Sequence, residues 1–244
     1  MKDKTIVYWG CRDKLYNNEL SYVTPSRLTS ELYSYFSPKS KTNFDLYFKC
    51  PAFREKYKNV FVVKAVRDYY LEYIPQQDGS IQINTSDENE EDFKKSFMIR
   101  DLSYQLGTIL WLNYFYSDTS LEIETSPAYH FNTEFNKRVL FMDGQFNIHK
   151  WFRPIDVTFL IKSEYRSVSI KRGDPLFYIK FKTKNNIKLA HFEFTRELHN
   201  LSAQLVEYKK IAPYQPFKKL YELFLEKKYN NRILREIKNK LTGY

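Results

Sequence analysis

The feature that most constrains this chain is the spacing of its apolar residues between Tyr69 and Phe194. There "DYYLEYI", "SIQINT", "TILWLNYFYS", "LEIET", "RVLFMD", "QFNIHKW", "DVTFLIKS", "RSVSI", "PLFYIKFKT" and "IKLAHFEF" follow one another as short strand-like runs. Alternation with period two marks a strand, because successive side chains leave opposite faces of a sheet. No segment of helical length separates the runs, which excludes the βαβ units of a parallel sheet. Asp78-Gly79 and Asp143-Gly144 stand between alternating runs, a strong short-range hairpin signal, and Asn185-Asn186 supplies a further turn. The expected class is α+β, mainly β: an antiparallel β-sandwich or jelly-roll-like body.

Helical spacing flanks this region. After a first strand at "TIVYW", Thr24, Pro25, Leu28, Leu32, Tyr35 and Phe36 predict a helix near residues 24–36, with Pro25 at its first position. Pro51 opens a second short helix near 51–58, and "NVFVVKAV" returns to strand. Ser86 to Asp92, "SDENEED", reads as an exposed acidic loop. Beyond Phe194 three apolar stripes recur at helical spacing: Leu198, Leu201, Leu205 and Tyr208; Phe217, Leu220, Tyr221, Phe224 and Leu225; Ile233, Ile237 and Leu241. Residues 1–194 therefore form a β-rich body with an N-terminal helical excursion. Residues 195–244 form a helical tail packed on it, within one domain. The core must be largely aromatic, since 21 Tyr and 20 Phe stand against 6 Gly, and each such ring buries ~150–250 Å².

The net charge of +10 favours anionic partners. More than half of it lies in Leu205–Tyr244, where ten Lys/Arg oppose four Glu. Lys209, Lys210, Lys218, Lys219, Lys227, Lys228, Arg232 and Arg235 fall beside the apolar stripes, so stripes facing inward would leave a basic outer surface. That surface suits nucleic acid or an acidic host protein, held weakly and salt-sensitively. No nucleic-acid motif sharpens this. No apolar stretch approaches the ~18 residues of a membrane span. Cys11 and Cys50 have neither metal spacing nor a disulfide framework, so the expected compartment is reducing and cytoplasmic.

"IKRGDPLFYIKF", Ile170–Phe181, has a structural reading at every residue: Arg172-Gly173 turns the chain, and Pro175 pushes Asp174 towards extended geometry and opens a strand. Gly173, Asp174 and Pro175 are thus expected to be a structural turn. Together with "MDGQFNIHKWFRP" this stretch resembles an uncharacterised protein family of tailed phages and some bacteria. The matching positions are Gly144, Trp151, Pro154, Gly173, Asp174 and Pro175, with "CPAF" at Cys50–Phe53 of the same pattern. The resemblance implies a β-sandwich-like body and a phage-type source, and it brings no activity.

Chemistry has two weaker footholds. His191 and Glu193, two apart on a strand, could share an ion in a two-histidine, one-carboxylate iron site, with His130 or His149 as the further ligand. His199, the remaining downstream histidine, falls on a helix. Cys50, before Pro51 at a helix start, could be a thiolate nucleophile. The expectation is a non-enzymatic binding module without cofactor. The alternatives are a small enzyme dependent on iron, zinc or cysteine on a jelly-roll body, and a structural virion component.

Overall fold

The computed structural model describes residues 4–12, 24–36, 49–78, 81–85, 97–102, 104–110, 113–211 and 214–242. The elements before the hairpin region are β1 (Lys4–Cys11), β2 (Ser26–Arg27), α1 (Leu28–Phe36), α2 (Pro51–Lys56) and β3 (Val60–Lys64). Strands β4 (Tyr69–Pro75), β5 (Ile81–Asn84), β6 (Phe97–Asp101), β7 (Leu106–Ile109), β8 (Asn113–Tyr116) and β9 (Glu122–Pro127) follow. A short helix α3 (Glu134–Arg138) precedes β10 (Val139–Phe141), β11 (Gly144–Asn147), β12 (Val157–Ile161), β13 (Ser167–Ile170), β14 (Pro175–Phe181) and β15 (Asn186–His191). The tail is α4 (Arg196–Ile211), α5 (Phe217–Glu226) and α6 (Tyr229–Asn239).

The molecule is mainly β, and most pairings are antiparallel. Its sheets run β11-β9-β14-β3-β2, β10-β12-β7-β6, β13-β4-β5 and β15-β1-β8. In the last of these β1 pairs with β15 in parallel, Lys4 opposite Asn186 through Trp9 opposite His191. That pair joins strands near the two ends of the body, which no local turn signal can encode.

Strand β14 shows why the body is two-sided. Phe177, Ile179 and Phe181 enter the main core, while Tyr178 on the other face is buried among Leu28, Leu32, Phe53 and Tyr57 of the α1–α2 region. The N-terminal helical excursion therefore covers the outer face of this sheet. Helix α1 begins at Leu28 because Ser26 and Arg27 pair with Val62 and Phe61 of β3, leaving Thr24 and Pro25 ahead of the helix. A register shift between Pro175 and Phe177 lets Leu176 also face the main core.

Two expected continuities break. "TILWLNYFYS" contributes β7 and β8 to different sheets. Strands β10 and β11, on either side of Asp143-Gly144, pair with β12 and β9 and not with each other. Gly144 instead starts a strand whose backbone exchanges hydrogen bonds with the Thr125 hydroxyl at 3.0 and 3.3 Å. The β4–β5 hairpin does form, with Tyr73 opposite Ile83. Gly79 of its turn, and the acidic run Ser86–Asp92, lie outside the described residues.

Candidate polyanion-binding surface

The turn Lys171–Asp174 is a closed hydrogen-bonded unit. The Asp174 N–H donates to the Lys171 carbonyl at 2.9 Å, and the Asp174 carboxylate accepts from the Lys171 N–H at 2.9 Å. The Arg172 N–H reaches Asp68, and the Gly173 N–H the Ala65 carbonyl. Gly173 has φ +88°, a region that side chains with a Cβ rarely enter. Gly173, Asp174 and Pro175 thus fasten β14 to the segment after β3.

The catalytic and metal candidates scatter. Strand β15 ends at His191, so the parity argument that put Glu193 on the same face stops there. His191 is buried against Trp9 with its Nδ1 2.7 Å from the Thr242 hydroxyl, whereas the exposed Glu193 gives its backbone N–H to Lys240. His130 Nδ1 lies 2.9 Å from the Tyr178 hydroxyl, and His149 Nδ1 lies 3.0 Å from the Ser117 carbonyl. His199 is on α4. Burial, and then the nearby Lys56 charge, pushes the His130 imidazole below its ordinary value. Cys50 is the exposed residue before the six-residue helix α2. Among the described residues no group of three or more His, Cys, Asp or Glu side chains is placed to hold a metal ion. Among them, too, no helix is long and apolar enough to cross a membrane.

The basic residues of the tail are organised. Leu198, Leu201, Leu205, Leu220, Phe224, Ile233 and Ile237 are buried in one cluster with Tyr8, Tyr114, Tyr116, Trp151, Phe152 and Phe192 of the body. Fully burying an apolar side chain of this size stabilises by about 1.5–3 kcal/mol, so these stripes fix the helices. The return of the chain closes the unit, since Leu241 bridges to Phe192 and the Thr242 N–H donates to the His191 carbonyl. Lys210, Lys218, Lys219, Lys227, Lys228, Arg232 and Arg235 are consequently exposed, and Lys209 is half-buried. Among the described residues two of these cations have carboxylate partners, Lys210 with Glu207 and Arg232 with Glu197, both solvent-exposed pairs of small energetic value.

Lys209 marks a corner that the linear sequence conceals. Burial pulls its ammonium down first, and the charges of Arg153 and Arg100 add to this. These three cations come from α4, from the segment before β12 and from β6. Asp156 pairs with Arg153 at 3.1 Å, and both arginines draw its pKa down against a larger rise from burial. Arg100 donates through Nε to the Thr108 hydroxyl at 3.2 Å, which aims it across the sheet. Cations that act on one another in this way carry a positive potential that an incoming anion relieves. Arg153 stands inside "KWFRP", but nothing in its spacing signals that its charge and that of Arg100 act on Lys209. Compared with known proteins, the chain matches no family model, no curated protein and no solved structure.

Proposed function

We propose that this protein is a non-enzymatic binding module, of phage-type origin and built on a sandwich-like β body, that holds an anionic partner on its helical tail. The observation that carries the reading is the segregation on α4–α6: apolar stripes buried against the body, lysines and arginines on the outer surface. Arg153 and Arg100 of the body add their charge to that of Lys209 at the end of α4. A surface of this kind attracts polyanions chiefly through counterion release, so its affinity falls steeply with salt.

The test is binding of fluorescein-labelled heparin followed by anisotropy across a salt series. Binding is expected at low salt and is expected to be largely lost near roughly 0.15 M, where exposed charges are screened beyond ~8 Å. Replacing Lys218, Lys219 and Lys227 together by Gln weakens it and leaves the melting temperature unchanged. Absence of binding at low salt overturns the proposal.

A further inference from the structure

We propose that the outer face of the sheet β10-β12-β7-β6 docks an acidic amphipathic helix of a partner protein, an inference that rests on the anion-binding reading and names the class of its partner. The cross-strand register brings the residues of this face together. Leu140 stands opposite Leu160 and Leu160 opposite Leu106, so three leucines form one row across β10, β12 and β7. In the next row the Met142 N–H donates to the Thr158 carbonyl at 2.8 Å, Thr158 stands opposite Thr108, and Thr108 opposite Met98. Their chain neighbours Val139, Phe159, Ile161, Ile109 and Phe97 lie in the main core, so alternation turns both rows outwards. Leu140, Met142 and Met98 are 51%, 43% and 40% exposed, and Leu160 and Leu106 are half-buried. A sheet buries an apolar face against another element, and among the described residues none of these five side chains belongs to a core cluster.

Charge says what covers the face. The exposed Arg100 lies on it, since its Nε donates to the Thr108 hydroxyl at 3.2 Å, itself 2.9 Å from the Thr158 hydroxyl. The charge of Arg100, with that of Arg153, acts on Lys209, which ties this face to the basic tail. Among the described residues neither Arg100 nor Lys209 pairs with a carboxylate. The carboxylates of this region are engaged: Asp101, opposite Leu106, accepts from the Tyr104 N–H at 3.1 Å, and Asp156 pairs with Arg153. A nucleic-acid strand or heparin neutralises Arg100 but brings nothing aliphatic to Leu140 and Met142, and these rows hold no ring on which a base could stack. A second copy of the chain presents the same Arg100 and Lys209 with a net charge of +10, and is repelled. A helix with an apolar stripe edged by Asp and Glu meets both needs. Its width of roughly 10–12 Å spans two to three strands spaced about 4.8 Å apart.

The experiment measures affinity for three fluorescein-labelled probes at one low salt concentration: a helical peptide with leucines on one face and glutamates beside them, a glutamate-only peptide of equal length, and heparin. Leu140→Gln and Met142→Gln are compared with Arg100→Gln, each checked for an unchanged melting temperature; the two apolar residues are exposed enough for glutamine to be accommodated. The amphipathic peptide should bind more tightly than the glutamate-only peptide. Leu140→Gln and Met142→Gln should each weaken it by about five-fold, in line with the loss of a partly buried apolar contact, and leave heparin and the glutamate-only peptide unchanged. Arg100→Gln should weaken all three probes. Equal binding of the two peptides, or an amphipathic peptide indifferent to Leu140→Gln and Met142→Gln, overturns the docking face and spares the anion-binding reading. Dimerisation in sedimentation that is lost in Leu140→Gln assigns the face to a second copy and likewise overturns the proposal. No binding of any probe overturns both readings.

Discussion

Single residues carry the joints of this fold. Asn59 has φ +60° and is buried, and its amide donates to the carbonyls of Thr183 at 3.0 Å and Asn185 at 2.6 Å. Its side-chain oxygen accepts from the Ile187 N–H at 3.1 Å, so one residue sets the crossing from β14 to β15. Asparagine tolerates the left-handed region better than most residues and can pair at both ends of its amide. Gly173 does comparable work without a side chain. A Cβ placed there meets nothing within 4 Å, so the cost of substitution is backbone strain and not collision. Gly173→Val is expected to destabilise by roughly 1–3 kcal/mol, and Gly173→Asn by less. Thermal unfolding measures this, as a fall of about 2–4 °C per kcal/mol. An unchanged midpoint for the valine variant contradicts a strained turn.

Elements are joined at places where histidines are partly or fully shielded from water. His130 lies between α2 and β14, touching Tyr57 and Tyr178, and His191 ends β15 where Thr242 packs back against it. Burial lowers both imidazoles from the ordinary 6.5; Lys56 adds to this at His130, and Glu193 opposes it at His191. The unfolded chain therefore binds more protons than the folded one once pH drops below about 6.5. Stability from these groups is complete above that value and is lost as pH falls through the lower folded values. The melting temperature is expected to decline from about pH 7 to about pH 5.5, and the decline is expected to be shallower in His130→Gln. A flat profile, or an identical slope in the variant, contradicts the assignment. The elements themselves were largely legible. Period-two runs placed most strands, and the apolar stripes placed α4–α6. Strand β6 and helix α3 escaped, since "FMIRD" carries only weak alternation and "EFNKR" is too short to show a helical period.

At the scale of the whole molecule, pairing rather than element identity was hidden. Asp143-Gly144 has the local chemistry of a hairpin, yet β10 and β11 find better-matched partners in β12 and β9, far along the chain. Local turn preference is small beside the burial of a strand face, and burial is decided by residues a local reading does not see. The candidate surface divides the same way. Its lysines were legible because inward stripes force charged residues outward, as the burial of Leu220, Phe224, Ile233 and Ile237 illustrates. The influence of Arg153 and Arg100 on Lys209, and the exposure of Tyr214, emerge only from tertiary structure. If the helical tail is the binding face of the molecule, as proposed, a ligand must perturb it and spare the rest. Backbone amide chemical shifts recorded by NMR during titration with a heparin oligosaccharide at low salt test it most directly. Perturbations are expected along α4–α6 and at Arg100 and Arg153, with the Lys171–Asp174 turn and the His130 cluster unmoved; perturbations confined to those latter sites, or none at all, exclude the tail as the binding face.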